Sequence, residues 1–316
     1  MYGQLMRVRV VIAAAVALAA ALAVMILTTG ESRDTDSALN GSAATVDLRE
    51  RVREFAAGVA ERRVHHEPTR AERGAVADGV GLLLAGERER AERRLREVGY
   101  AVTALKDRES GRSYLEVADA REQADGSGTR GWGRVYLDRN GAPGWSVQVP
   151  HPVADLDTEL LGAEVLRGAP GGVLILAGAH RDAGETDAAD VAHRTDTVFH
   201  QIVRETVRRG LPGLQLHGFA DDSVPGFDAL VSSGSGGHGE AAAKSLVADL
   251  ARQGFAVCRA WSQRCRLEGR TNEQGIVAER YEVPFVHVEF NRDSRRNPAL
   301  RSRTASALGG IAQQWR

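Results

Sequence analysis

The sequence predicts an α/β fold: a mixed, largely parallel sheet flanked by helices, with a helical and β-hairpin region ahead of it. Three observations predict it. From about residue 141 onward, segments with strand-like alternation take turns with segments of helical spacing. One segment, Gly172–Val173–Leu174–Ile175–Leu176–Ala177–Gly178–Ala179, is apolar without interruption, as a strand covered on both faces must be. Histidines or acids recur where these strands end, at His151, His180, His217 and Glu289, and open parallel sheets hold their ligands at such ends.

Composition agrees with a globular protein. Of 316 residues 43% are apolar and 26% charged, and the net charge is -1, so no basic excess points to a nucleic-acid partner. Arg7 and Arg9 precede an uncharged, almost wholly apolar run, Val10 to Leu27. Its 18 residues approach the thickness of a bilayer core. With Glu31, Asp34 and Asp36 behind it, the run predicts a single-pass anchor over residues 1–29, leaving the rest of the chain outside the cytoplasm. Ala-x-Ala triplets within the run keep a cleaved, secreted form open. Residues 30–44, rich in Ser, Thr, Gly and Asp, read as a flexible tether.

Residues 45–140 form the N-terminal α+β region. Leu48, Val52, Phe55 and Val59 make one apolar stripe, and Ala71–Leu84 and Glu87–Val98 follow with helical character. The last is dense in Arg and Glu at ion-pair spacing, which marks a solvated face. Tyr100–Leu105 and Ser113–Val117 are strands joined through a hairpin turn ending in Ser110–Gly111. Gly133–Leu137 is a further strand. Arg130–Gly131–Trp132–Gly133 reads either as a ligand loop or as packing at that strand's start.

Residues 141–316 carry the chemistry. The alternating strand Trp145, Val147, Val149 runs into Pro150–His151 and then Asp155, Asp157 and Glu159, before the helical Leu160–Leu166. One imidazole and three carboxylates at a strand-to-helix turn suit a divalent metal. A polar turn with Asp157 or Thr158 capping the helix is the other reading. His151 and Asp155, four apart, can share one ion across a turn. His217, ending the strand Leu214–Phe219, would complete three protein ligands and leave a position open for water. Glu289, in the apolar strand Val283–Phe290 beside His287, is the carboxylate placed to move a proton there.

These residues carry a resemblance. Pro150–His151, Asp155, Asp157–Thr158–Glu159, His217–Gly218, and Val288–Glu289 with Arg295 resemble the zinc carboxypeptidase-like hydrolases, in particular the phage poly-γ-glutamate hydrolase type. The resemblance covers about Val147 to Asn297. It implies a zinc carboxypeptidase-like domain over 141–316 and one Zn²⁺ on His151, Asp155 and His217, with Glu289 as general base. One departure stands out. That family places Glu three residues after its first His, and position 154 here is Ala, which leaves Asp155, Asp157 and Glu159 as alternatives.

The resemblance also implies that the loop around His180–Arg181 and Asp190–His193 holds substrate, an Arg suiting a carboxylate. The other reading is a helix N-terminus capped by Thr195 or Asp196, with His200 on its surface. Arg270 and Asn272 are candidates to fix a substrate carboxylate or amide, or to satisfy a turn; Arg295 is a further carboxylate candidate. Cys258 and Cys265, the only cysteines, predict a disulfide in an exported chain. Ser232–Gly239 lacks the Lys and spacing of a phosphate loop. The function expected is a zinc hydrolase of peptide or γ-glutamyl amides, of cell-wall origin if exported. A non-catalytic binding module and a serine esterase using Ser232 or Ser233 are the rivals.

Overall fold

The computed structural model describes residues 43–122 and 128–316. Short β1 (Ala44–Val46) leads into α1 (Leu48–Arg62), whose Leu48, Val52, Phe55 and Val59 are all buried. Asp47 caps it by accepting from the N–H groups of Arg49 and Glu50. Thr69 and Glu72 form a reciprocal capping box at the start of α2 (Arg70–Leu84). In α3 (Arg88–Arg96) only Ala91 and Leu95 turn inward, and pairs such as Arg88–Glu92, 2.7 Å apart, lie on the outer face.

Strands β2 (Tyr100–Asp107) and β3 (Ser113–Asp119) form the expected hairpin, followed by β4 (Arg134–Asp138). Trp132 is buried against Tyr100, lies 3.7 Å from the Arg130 guanidinium, and donates its indole N–H to the His66 carbonyl. The Arg130–Gly133 stretch is therefore packing at a strand start.

The second part of the chain alternates as its pattern predicts. It runs β5 (Trp145–Val149), α4 (Thr158–Gly168), β6 (Gly172–Leu176), α5 (Val198–Arg208), β7 (Gly213–Gly218), β8 (Ala229–Ser232), α6 (Glu240–Arg252) and β9 (Val257–Arg259). It closes with α7 (Glu273–Arg280), β10 (Phe285–Phe290), α8 (Arg292–Arg296) and α9 (Pro298–Gln314). All ten strands join one mixed sheet, in the order β1-β2-β3-β4-β6-β5-β7-β10-β8-β9. Its centre, β6-β5-β7-β10, is parallel, while β8 runs antiparallel to β10 and β4 antiparallel to β6. The regions expected on either side of residue 140 thus share one sheet, within the unit Ala44–Arg316.

Five elements escape the sequence pattern, among them the three-residue β1 and the five-residue α8. β8 has four residues, too few to register as alternation. α7 is a short helix of eight residues. α9 buries mostly small residues (Ala305, Ala307, Gly309, Ala312) and so shows a shallow apolar stripe. In addition, α5 begins at Val198, past the expected caps. Thr197, not Thr195 or Asp196, caps it by accepting from the His200 N–H, and His200 is buried, not on the surface.

Helices cover both faces of the sheet. Trp145, Val147 and Val149 of β5, Leu214 and Leu216 of β7, and Val286, Val288 and Phe290 of β10 pack against α1, α4, α6 and α9. On the other face Val173 and Ile175 of β6 meet Val198, Phe199 and Ile202 of α5 and Val76 and Val80 of α2. Along β5, β7 and β10, however, that second face carries Ser146, Gln148, Gln215, His217, His287 and Glu289, all buried. Strand register sets Gln148 beside Gln215, Gln215 beside His287, and His217 beside Glu289.

Among the described residues no helix is long and apolar enough to cross a membrane. The longest, α9, has 17 residues and carries Arg301 and Arg303; at 1.5 Å per residue it spans about 26 Å, short of a bilayer core. On this finding the expected anchor, the membrane partner and the extracytoplasmic placement are corrected. The Val10–Leu27 run behind them lies outside the described residues, as does the expected tether except its last two residues, and Ala44 already belongs to β1.

Leu161 of α4 is fully buried against the sheet. Leu161→Ala should cost about 2–5 kcal/mol of stability, read as a lower urea midpoint at unchanged slope.

Candidate metal centre

β5 ends at Val149, and Pro150–His151 leads into a tight turn in which the Asp155 N–H donates to the His151 carbonyl at 3.0 Å. Within it Val153 adopts φ 71 and Asp157 φ 66. A β-branched residue in left-handed backbone is strained, at a cost of about 1–3 kcal/mol. The strain has a product. It folds the Asp155 carboxylate back to within 3.3 Å of His151 Nδ1 and 3.2 Å of His217 Nδ1. All three side chains are buried.

Of the three candidate acids only Asp155 reaches both imidazoles. Asp157 pairs with Arg296 at 3.4 Å and caps nothing with its side chain. Glu159 is buried with Oε2 unpartnered, and burial raises its pKa.

The donor set fits a divalent ion. His151 Nδ1, an Asp155 oxygen and His217 offer two nitrogens and one oxygen within 4.8 Å of one another, a set suited to zinc. The outer ring nitrogens are engaged elsewhere, His151 Nε2 with Asp190 Oδ1 at 2.7 Å and His217 Nε2 with Gln215 Oε1 at 2.9 Å. Ligating imidazoles are commonly held this way. Burial would raise the Asp155 pKa, but hydrogen bonds from both histidines hold it well below the usual carboxylate range. Burial likewise opposes charge on His151, yet Asp155 and Asp190 together hold it above its ordinary value.

Beside His217 on the neighbouring strand stands Glu289, buried and, among the described residues, in no ion pair with a Lys or Arg. Burial first, and the Asp155 charge second, push its pKa well above the ordinary value. His287 lies on the same face, Nε2 4.0 Å from Glu289 Oε1, with Nδ1 buried and unpartnered. Burial and then His217 depress it well below the usual imidazole range.

A cleft of about 500 Å³ opens over this cluster, lined by His151, His217, His287 and Glu289 at its floor and by Arg181, His193, Arg264 and Arg270 higher up. The sequence-predicted substrate residues divide here. Arg181 and His193 reach the cleft, both contacting Asp190, at 2.6 and 3.2 Å. Arg270 reaches it paired with Glu268. Asn272 borders the cleft but is buried, its Oδ1 capping α7.

His180 does not line the cleft; its Nδ1 accepts from the Asp182 N–H at 3.3 Å. Arg295 lies beneath the site. Its guanidinium donates to the carbonyls of Asp155, Leu156, Phe219, Phe290 and Asn291, which leaves it bound to backbone and outside the cleft lining.

Two residues emerge only in three dimensions. Asp190 binds His151, Arg181 and His193 at once; its signal was an acid between two basic residues in a Gly/Asp-rich loop. Arg264 is brought to the cleft by the loop that the Cys258–Cys265 disulfide closes, and pairs with no acid among the described residues. Ser232 and Ser233 donate their hydroxyls to the Glu268 and Gly236 carbonyls, each at 2.6 Å, with no imidazole partner.

No family model matches the chain, and no curated protein matches its sequence. Solved structures similar to it include an N-formylglutamate amidohydrolase from Ralstonia eutropha JMP134, with 13% identity and a TM-score of 0.40 over 57% of this chain and 95% of that one. Another is a metallo-carboxypeptidase from Pseudomonas aeruginosa in complex with (2-guanidinoethylmercapto)succinic acid, with 14% identity and a TM-score of 0.38 over 73% and 69%. A third is the product-bound ectoine utilization protein EutE (DoeB) from Ruegeria pomeroyi, with 14% identity and a TM-score of 0.36 over 58% and 60%. At these identities and scores the likeness assigns neither activity nor ligand to this chain.

The raised Glu289 carboxyl makes a pH prediction for the metal-free protein. Above the ordinary carboxyl value of 4.5 the folded state keeps a proton that the unfolded chain has released. Stability therefore falls as pH rises from there toward the folded-state value. Glu289→Gln should remove this component, giving a flatter dependence of the urea midpoint on pH than wild type; parallel profiles would show that Glu289 is not held protonated.

Proposed function

We propose that this chain is a metal-dependent hydrolase of amide bonds, with one zinc ion held by His151, Asp155 and His217. The observation that carries the reading is the Asp155 carboxylate turned to the Nδ1 atoms of two buried histidines, with Glu289 beside them on the next strand. Zinc bound there supplies Lewis acidity, polarising a carbonyl and making water a nucleophile near neutral pH.

The chain's own residues supply the rest. Asp190 and Gln215 orient the two imidazoles from outside. Glu289 takes a proton from the attacking water and passes it to the leaving amine nitrogen. Glu289 lines the cleft floor on the strand beside His217, the position that transfer needs. Arg181, Arg264 and Arg270 put three guanidiniums on the cleft walls. Two are already paired, with Asp190 and Glu268, and Arg264 is left to meet an anion. A peptide or γ-glutamyl amide bearing a free carboxylate fits this wall, and the poly-γ-glutamate resemblance is one instance of that class.

The esterase rival loses its support because both serine hydroxyls are committed to backbone carbonyls. A binding module that keeps the metal without catalysis is separated by experiment. Purified protein should carry about one zinc per chain, lost in His151→Ala and in His217→Ala. Glu289→Gln should keep its zinc while kcat on a cleaved amide falls about 10²–10⁴-fold. Normal turnover in that variant removes Glu289 as the base, and zinc retained without turnover by the wild type across a broad amide panel leaves the binding module. Arg264→Ala should raise KM about 10-fold or more for carboxylate-bearing amides at nearly unchanged kcat, and leave amide-blocked substrates unaffected.

A further inference from the structure

Val76 and Val80 of α2 pack in one cluster with Phe199 and Ile202 of α5, but along one edge the two helices part. There Arg70, Arg73 and Ala77 of α2 face Gln201, Arg204 and Arg208 of α5 across a cavity of about 250 Å³. Both sets recur at helical spacing, so each helix presents one row of side chains to the same gap. Gly74 also lines it, and a Cβ there would meet nothing within 4 Å. The gap is space that the packing leaves open. A second cavity, of about 400 Å³, continues it toward α7. The two share Arg73, Gln201 and Arg204, and the second adds Arg280 beside the apolar Ile276 and the exposed Tyr281.

Charge in this groove is not balanced locally. Arg70, Arg73, Arg204 and Arg280 form no ion pair among the described residues. Arg73 donates to the Pro68 carbonyl at 3.1 Å and Arg204 to Gln201 Oε1 at 3.2 Å, neutral acceptors that hold the guanidiniums without neutralising them. The neighbouring acids are taken: Asp78 by Arg94 at 2.9 Å, Asp196 by Arg194 at 2.8 Å, and Glu205 by Arg209 at 2.9 Å and Arg208 at 3.4 Å. Against the four stands Glu273, the lining acid that has no partner cation among the described residues. Guanidiniums gathered around a gap repel one another unless an anion joins them.

We propose that this groove binds a phosphate monoester, its phosphoryl group between Arg73 and Arg204 and its organic part along Ile276 and Tyr281. A tetrahedral dianion accepts from several guanidinium forks at once, whereas a single fork already fills one carboxylate. The division between an arginine-walled half and a half with apolar lining suits an anion that carries an organic group. The groove shares no lining residue with the candidate cleft. Between them the Glu273 N–H donates to the Ala192 carbonyl at 2.9 Å, with Ala192 on the cleft side and Glu273 on the groove side. Binding here needs no metal.

Nitrogen-15 NMR of the full-length protein tests it, with inorganic phosphate or phenyl phosphate replacing chloride at constant ionic strength. The Gly74 and Gln201 backbone N–H signals should shift and saturate, with a Kd of about 1 mM for inorganic phosphate and about 10-fold lower for phenyl phosphate, whose ring gains apolar burial. Arg73→Gln and Arg204→Gln should each weaken both ligands about 10-fold, at a nearly unchanged melting temperature because neither side chain is in the core. Tyr281→Ala should remove the advantage of phenyl phosphate and spare inorganic phosphate. Arg264→Ala, in the cleft, should alter none of these values. No saturation of the Gly74 shift at about 20 mM phosphate, or undiminished affinity in the Arg73→Gln, Arg204→Gln double variant, would overturn the proposal. Equal affinity for the two ligands would also overturn it, since the groove would then hold a bare anion and no ester.

Discussion

Polar side chains on a buried face of a parallel sheet are the constraint that the rest of this structure answers. Each buried donor or acceptor left unmatched costs about 1–3 kcal/mol, and β5, β7 and β10 together place six polar side chains on one face. The apolar solution used at β6 is closed to them. Instead, the first turn of α7 descends onto that face with Asn272 and Gln274, and the loop bearing Asp190 closes over His151. Of these six side chains, His287 at the cleft floor keeps a buried Nδ1 without a partner.

A single guanidinium holds the surrounding backbone. Arg295 ties the turn after β5, the end of β7 and the end of β10 to one point through five carbonyls. This gathers the three strand ends that carry His151 with Asp155, His217 and Glu289. Gly218 makes it possible, since a Cβ at that position would strike the Arg295 guanidinium carbon. The small residue directly behind His217 thus serves the arginine. Burial lowers the Arg295 pKa, opposed by Asp155 and Asp157, so the same charge that gathers the backbone also offsets the acids of the turn.

Most of the sheet was legible because its strands are regular in pattern, and so were the strand-end positions of His151, His217 and Glu289. Asp155 was legible as one of three acids; choosing among them needed the positive φ of Val153, which no local propensity announces. Two of the substrate candidates share a limit. Arg295 and Asn272 are residue types that bind ligands and backbone equally well, and only the packed structure shows backbone taking them. A subtler signal was present throughout. Strands at the centre of a parallel sheet should be apolar on both faces, yet Trp145–Val149, Leu214–His217 and Val286–Glu289 alternate. That alternation marks where the sheet faces a polar site.

The pairing of β4 with β6 bears on modularity. Residues 141–316 contain every group of the candidate centre, which invites treatment as a portable catalytic cassette. Yet Val173 and Ile175 of β6 pair along their length with Leu137 and Val135 of β4, and their outer face is completed in part by Val76 and Val80 of α2. Cut at residue 140, the sheet would end in a bare, apolar, fully parallel-compatible edge, the kind of surface that recruits a second chain. The N-terminal region is therefore an architectural guard for the chemistry behind it: shuffling or truncation in evolution must carry both parts together or supply another strand.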